Sequence, residues 1–176
     1  HMLTLVLRRA KYLVKNGDEV FSTPALARFL KNDFDLKSFE STPNIIDSFC
    51  ELDDSDIFSA MKAWRHHKDN VLSSLSARIL DRNLFRIELR PHPFTTKEVE
   101  DKVSEISKEW NLSHDEATYF VSNETIENKA YIPNGILIKY KDGTIKDFAE
   151  SNDHLSLELL TKPVKKSFLC YPKEIA

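Results

Sequence analysis

The chain has 176 residues, 41% of them hydrophobic and 30% charged, which suits one domain or two small ones with a real core. A net charge of −3 and a pI near 6.1 argue against a general nucleic-acid binder, and no apolar run is long enough to span a membrane. Cys50 and Cys170 lie far apart, with neither zinc spacing nor a disulfide framework, so they read as buried free thiols of a reducing cytoplasm.

His1-Met2 looks like a cloning remnant, and Leu3 enters an amphipathic pattern without a capping residue, as if cut from a longer protein. Leu3, Val6, Leu7, Ala10, Leu13 and Val14 form the stripe of a first helix, with Gly17 as its C-terminal cap. Ser22-Thr23-Pro24 opens a second helix through Leu30, and Ser41-Thr42-Pro43 opens a third through Phe49: a hydroxyl caps free amides and proline suits the first helical position. Lys31–Glu40 between them reads as a loop pinned by Phe34, Leu36 and Phe39. Asp53, Asp54 and Asp56 start a fourth helix whose inner face is Ile57, Phe58, Met61 and Trp64. Asp69 caps a fifth, with Val71, Leu72, Leu75, Ile79 and Leu80 inward.

At Phe85 the period changes from helical to two. Phe85, Ile87 and Leu89 alternate with Arg86, Glu88 and Arg90 as a half-buried strand stopped by Pro91 and Pro93. Thr95 and Glu98 form a capping box for a helix carrying Val99, Val103, Ile106 and Trp110. Ser113 and Glu116 suggest one more helical turn, and Thr118–Val121 a strand. Residues 136–149 are a hairpin with Asp142-Gly143 at its turn, His154–Leu160 a short helix, and Ser167–Tyr171 a last strand. The expected fold is α+β: about five helices over residues 1–84, then a small α+β lobe over 85–176 with a mostly antiparallel sheet.

No arrangement in the chain makes a convincing catalytic centre. Three glycines form no phosphate loop, and there is no nucleophile elbow. His66 and His67 are adjacent and project about 100° apart on a helix, so they do not converge on one ion; helix-end histidines and a capping Asp69 explain them. His114-Asp115 is a literal HD dipeptide in a polar capping context, without a second His and Asp set, and reads as surface. The arginines are more informative. All eight lie at or before Arg90, and Arg78, Arg82 and Arg86 are spaced four apart across the helix-to-strand junction. Guanidinium forks pair bidentately with phosphate, so Arg82 and Arg86 suggest a phosphate-bearing ligand; the competing reading is ion pairing with Asp81, Glu88 or acidic residues of the second half.

Glu51–Ile57, Trp64, His67-Lys68-Asp69 and above all Arg82-Asn83-Leu84-Phe85-Arg86 resemble the HD-domain phosphohydrolases related to dNTP triphosphohydrolases, including the SAM-and-HD-domain branch. Lys141-Asp142-Gly143 and Phe168–Lys173 are similar to the C-terminal region of bacterial, dGTPase-like members. The resemblance is to the part that follows the catalytic HD core, whose metal-binding residues lie upstream. It implies no catalytic residue, metal ligand or cofactor in this chain, and a divalent metal in the missing core. It further implies a regulatory and oligomerisation role beside the rest of the parent enzyme, in a cytoplasmic homo-oligomer. In the SAM-and-HD branch the basic residues matching Arg82 and Arg86 contact phosphates of an effector nucleotide at a subunit interface, and Lys141 is the counterpart of a further lysine on a C-terminal strand. The alternative from the residues alone is a stand-alone protein-binding or adaptor module that uses the arginine stripe for an acidic partner surface.

Overall fold

A computed structural model describes residues 1–127, 136–147 and 165–175. Eight α-helices and five strands are seen among them: α1 (Met2–Lys15), α2 (Pro24–Lys31), α3 (Leu36–Ser41), α4 (Ile45–Cys50), α5 (Asp54–Trp64), α6 (Asn70–Leu80), β1 (Arg86–Arg90), α7 (Thr96–Glu109), α8 (His114–Ala117), β2 (Ser122–Glu127), β3 (Leu137–Lys139), β4 (Ile145–Asp147) and β5 (Lys165–Tyr171). This is the α+β arrangement expected: helices first, then antiparallel sheets with further helices.

Most boundaries follow the capping chemistry. The side chains of Thr23, Asp53, Asp69, Thr95 and Ser113 accept from the first-turn amides of α2, α5, α6, α7 and α8. At three helix ends the chain leaves through a left-handed residue. Gly17, Arg82 and Asn111 have φ of 86°, 56° and 51°. The next amides, of Asp18, Asn83 and Leu112, return to the carbonyls of Leu13, Arg78 and Ser107 at 3.0, 2.8 and 3.0 Å. Each is a Schellman closure, which satisfies carbonyls left open by the last turn.

The helices pack around one core. Val6, Ala10, Met61, Trp64, Val71, Leu72, Leu75, Ile106 and Phe120 are almost fully buried, and the same cluster continues through Phe85 and Phe94 to Phe168, Leu169 and Tyr171 of β5. The Trp64 indole N–H donates to the Phe21 carbonyl at 2.8 Å, tying α5 to the segment before α2. Arg9, buried on α1, is held by Asp69: Nε and Nη2 donate to the two carboxylate oxygens at 3.1 and 2.6 Å. Tyr12 and Tyr119 lie against that guanidinium, each ring centre 5.1 Å away.

One sheet has the order β1-β5-β2, antiparallel throughout, with Ile87 opposite Cys170, Leu89 opposite Phe168, and Ser122 opposite Cys170. The other is the β3-β4 hairpin, closed at Tyr140–Thr144, where the Asp142 carboxylate accepts from the Thr144 amide at 2.9 Å. The last two residues of the expected hairpin, and the expected helix His154–Leu160, lie outside the described residues.

Several expectations fail for identifiable reasons. Lys31–Glu40 contains helix α3 rather than only loop, because Asp35 and Ser38 close a reciprocal capping box. The helix expected from Pro43 starts at Ile45 instead; Thr42–Asn44 is a turn, Asn44 is left-handed (φ 59°), and Arg28 binds the carbonyls of Pro43 and Asn44. Thr118–Val121 is not a strand: Thr118–Phe120 is a 3-10 turn continuing α8, and β2 begins just after it. Leu3 and Phe58 face solvent, with Leu5 and Ala60 buried instead, and Cys50 is exposed whereas Cys170 is buried. The faces of β1 are also exchanged. Ile87 and Leu89 are 60% and 58% exposed, while Glu88 and Arg90 are the more covered side chains of the strand.

Candidate effector site at the α6–β1 junction

Helix α6 carries Arg78 on its last turn and ends at Leu80, with Asp81 as the capping residue. Arg82 then takes the left-handed position, and β1 begins four residues later with Arg86. The three arginines of the stripe therefore leave the backbone from a helix, a cap and a strand, and their fates differ.

Arg78 is spoken for. Its Nη1 lies 3.2 Å from both carboxylate oxygens of Glu174, and the guanidinium covers the Trp110 ring at 4.9 Å. Asn83 also donates to Glu174 at 3.2 Å, so that carboxylate stitches the C-terminal segment to the junction. Burial raises the Glu174 pKa, but a backbone amide, Asn83 and Arg78 outweigh it, so the carboxyl titrates below its ordinary value. Arg90 is equally committed: Nη1 and Nη2 reach the Glu98 carboxylate at 2.6 and 2.7 Å, and its guanidinium centre lies 3.7 Å from that of the Phe94 ring. Together with the Thr95 amide and hydroxyl, Arg90 pulls the Glu98 carboxyl down to about 2.

Arg82 is different. It is exposed, and its side chain makes no hydrogen bond or ion pair among the described residues. The nearest competitor in sequence, Asp81, is taken by Arg65, whose two terminal nitrogens reach its oxygens at 3.3 and 3.1 Å. Arg86 is half exposed and has only a slack ion pair with Glu88 at 3.8 Å; Glu88 instead accepts from the buried Tyr171 hydroxyl. The ion-pair reading therefore holds for Arg78 and loosely for Arg86, and fails for Arg82.

The backbone at Arg82 is itself informative. Of the three Schellman closures, one uses glycine, one asparagine and one arginine at the left-handed position. Glycine has no penalty there and asparagine a small one, whereas an ordinary L-residue costs about 1–2 kcal/mol. A guanidinium held at that position, with no partner among the described residues, suits an anion supplied from outside. Beside the junction, Arg65, Ser73, Ser74, Trp110 and Phe120 line an open cleft of about 400 Å³ against α6, a feature that depends on long-range packing and leaves no local pattern in the sequence.

Lys141 is the first residue of the β3-β4 turn, exposed, on the other sheet. No hydrogen bond, ion pair or ring contact among the described residues joins it to Arg82 or Arg86, so the structure brings the two arginines to one junction without Lys141.

The metal-like motifs have other partners. The His67 ring lies 3.2 Å from the Glu19 carbonyl through Nε2 and accepts from the Asp69 amide at 3.0 Å. Burial pushes the Asp69 carboxyl up, but Arg9 and the Leu72 amide more than reverse it, so it stays an anion committed to its cap and to Arg9. His114 pairs with Glu100 at 2.5 Å on the surface, and the Asp115 side chain is fully exposed. Among the described residues no group of three or more His, Cys, Asp or Glu is placed to hold a metal ion. These residues do not fit a catalytic metal.

No family model matches the chain, and no curated protein does. The chain is similar to part of a phosphohydrolase from Bacteroides thetaiotaomicron VPI-5482 of known crystal structure, with 42% sequence identity and a TM-score of 0.86. The likeness covers 98% of this chain and 43% of that one, so the chain spans less than half the length of the phosphohydrolase it resembles.

Proposed function

We propose that this chain is the non-catalytic, regulatory and assembly region of a metal-dependent phosphohydrolase of the HD type, one that hydrolyses a nucleotide such as a dNTP. The observation that carries the reading is the end-to-end likeness to less than half of a phosphohydrolase, at an identity well above what fold alone requires. The metal and the attacked phosphate would belong to residues outside this chain: among the described residues no group of three or more His, Cys, Asp or Glu is placed to hold a metal ion. There a divalent ion would supply an activated water.

Within that enzyme, Arg82 and Arg86 would hold the phosphates of an effector nucleotide in a homo-oligomer. Support comes from a guanidinium without a partner among the described residues, at a left-handed position, and from the slack pair of Arg86. Lys141 would join them only if the β3-β4 turn approaches from another subunit.

Thermal unfolding with and without dGTP or GTP tests the site. A nucleotide at a hundred times its dissociation constant stabilises by about 2.7 kcal/mol, a shift of several degrees for a chain of this size. The shift should vanish in Arg82→Ala and shrink in Arg86→Ala; a shift of unchanged size in Arg82→Ala removes the site.

A further inference from the structure

The sheet edge formed by β1 carries a second message. β5 lies on one side of β1, and among the described residues no strand lies on the other. By register, Ile87 and Leu89 share a sheet face with Cys170 and Phe168. The two β5 residues are 5% and 3% exposed, whereas Ile87 and Leu89 are 60% and 58% exposed, and Leu84 just before them is 49% exposed. The apolar face is thus covered over the central strand and open over the edge. Natural edges are usually protected by like charges, proline or a bulge. This one carries arginine and glutamate in alternation, which does not repel a second copy of itself.

We propose that the β1 edge pairs antiparallel with the β1 edge of a second copy of this chain, with Ile87 at the two-fold axis. In that register Arg86 faces the partner's Glu88 and Ile87 faces its own copy, so opposite charges meet and the apolar residue at the axis meets its like; at the ends the buried Phe85 lies opposite the partner's Leu89, and Leu84 opposite the partner's Arg90. Arg86 is available for it, being 3.8 Å from its own Glu88. The competing registers are poorer. Centring on Glu88 sets Glu88 against Glu88 and Arg86 against Arg90. Centring on Leu89 demands Arg90, already bound to Glu98, and sets Ile87 against Pro91, which has no amide to donate. The chosen register joins two three-stranded sheets into one of six, in the order β2-β5-β1-β1-β5-β2.

The pairing stands independently of the effector reading, because its test uses no nucleotide. Sedimentation equilibrium of the full chain in phosphate-free buffer should show a reversible dimer. Arg86→Glu leaves both charged positions negative and Glu88→Arg leaves both positive, so each variant alone should dimerise at least about tenfold more weakly, as like charges face each other across the axis. An equimolar mixture of the two should recover association as a heterodimer. Ile87→Lys should be monomeric, and circular dichroism checks that every variant is folded. A monomeric wild type overturns the proposal. So does a wild-type dimer that Ile87→Lys leaves intact, or two variants that stay apart when mixed while remaining folded.

Discussion

Arg82→Gly should make the protein more stable. The left-handed backbone at Arg82 costs an L-residue about 1–2 kcal/mol that glycine does not bear. Against this, glycine's greater freedom in the unfolded chain costs about 0.4–1 kcal/mol. With no ion pair of Arg82 to lose among the described residues, the net gain is about 0.5–1 kcal/mol. For a chain of 176 residues that raises the midpoint of thermal unfolding by roughly 1–4 °C. Gly17→Ala is the mirror control, since it sits in the same closure at φ 86° with open space around a new Cβ. It should lose about 1 kcal/mol for backbone reasons alone. Differential scanning calorimetry on the three proteins without nucleotide decides. If Arg82→Gly unfolds at a lower temperature than wild type while Gly17→Ala behaves as expected, the arginine contributes native contacts and the reading of a strained, waiting guanidinium is wrong.

Other substitutions probe what holds the junction in place. Asp69→Ala removes both the α6 cap and the partner of buried Arg9, whose side chain is 10% exposed, and should cost about 3–5 kcal/mol by urea denaturation. Trp64→Phe leaves the Phe21 carbonyl without its donor and opens a void in the core, for about 1–3 kcal/mol. The Glu98 carboxyl, held near 2, is more acidic folded than unfolded, so its contribution is complete above the unfolded value near 4.3 and is lost as pH falls toward 2. Glu98→Gln should therefore flatten that part of the acid limb in a pH series of melts. The His114 pKa is raised by its hydrogen bond to Glu100, so that contribution is present below the unfolded value near 6.5 and fades as pH rises through the higher folded value; His114→Gln should remove this slope.

The sequence foretold the fold where the signal is local. Asp53, Asp69, Thr95 and Ser113 each start a helix where a capping oxygen is expected, and Asp142-Gly143 closes its hairpin. It misled where local and tertiary signals differ. Asp35 and Ser38 cap a helix through an unusual pairing, so α3 reads as loop. Alternation in β1 identifies a strand correctly but not its inner face, because the charged residues have partners that periodicity cannot see: Tyr171 for Glu88, Glu98 for Arg90. The arginine stripe is visible in the sequence as a spacing. That Arg65 removes Asp81 from competition, and that Glu174 claims Arg78, depends on packing between residues sixteen and ninety-six positions apart.

Several departures from ordinary rules fall together in the nine residues from Arg82 to Arg90. An arginine occupies a glycine position, the large apolar residues Leu84, Ile87 and Leu89 are exposed, and the charged face of a strand is the more covered one. Each has a cost of its own: backbone strain at Arg82, unburied apolar area at Ile87 and Leu89, and desolvation near Glu88. Costs borne together in one short segment are compensated most simply by what binds there. An anion at Arg82 and a second copy at the β1 edge would each recover a different one. Because the two sites share Arg86, occupation of one should alter affinity at the other. If both proposals hold, nucleotide should shift the dimerisation constant of wild type, and Arg82→Gly should abolish that shift while leaving nucleotide-free dimerisation intact; a dimerisation constant indifferent to saturating nucleotide would show that the sites are uncoupled.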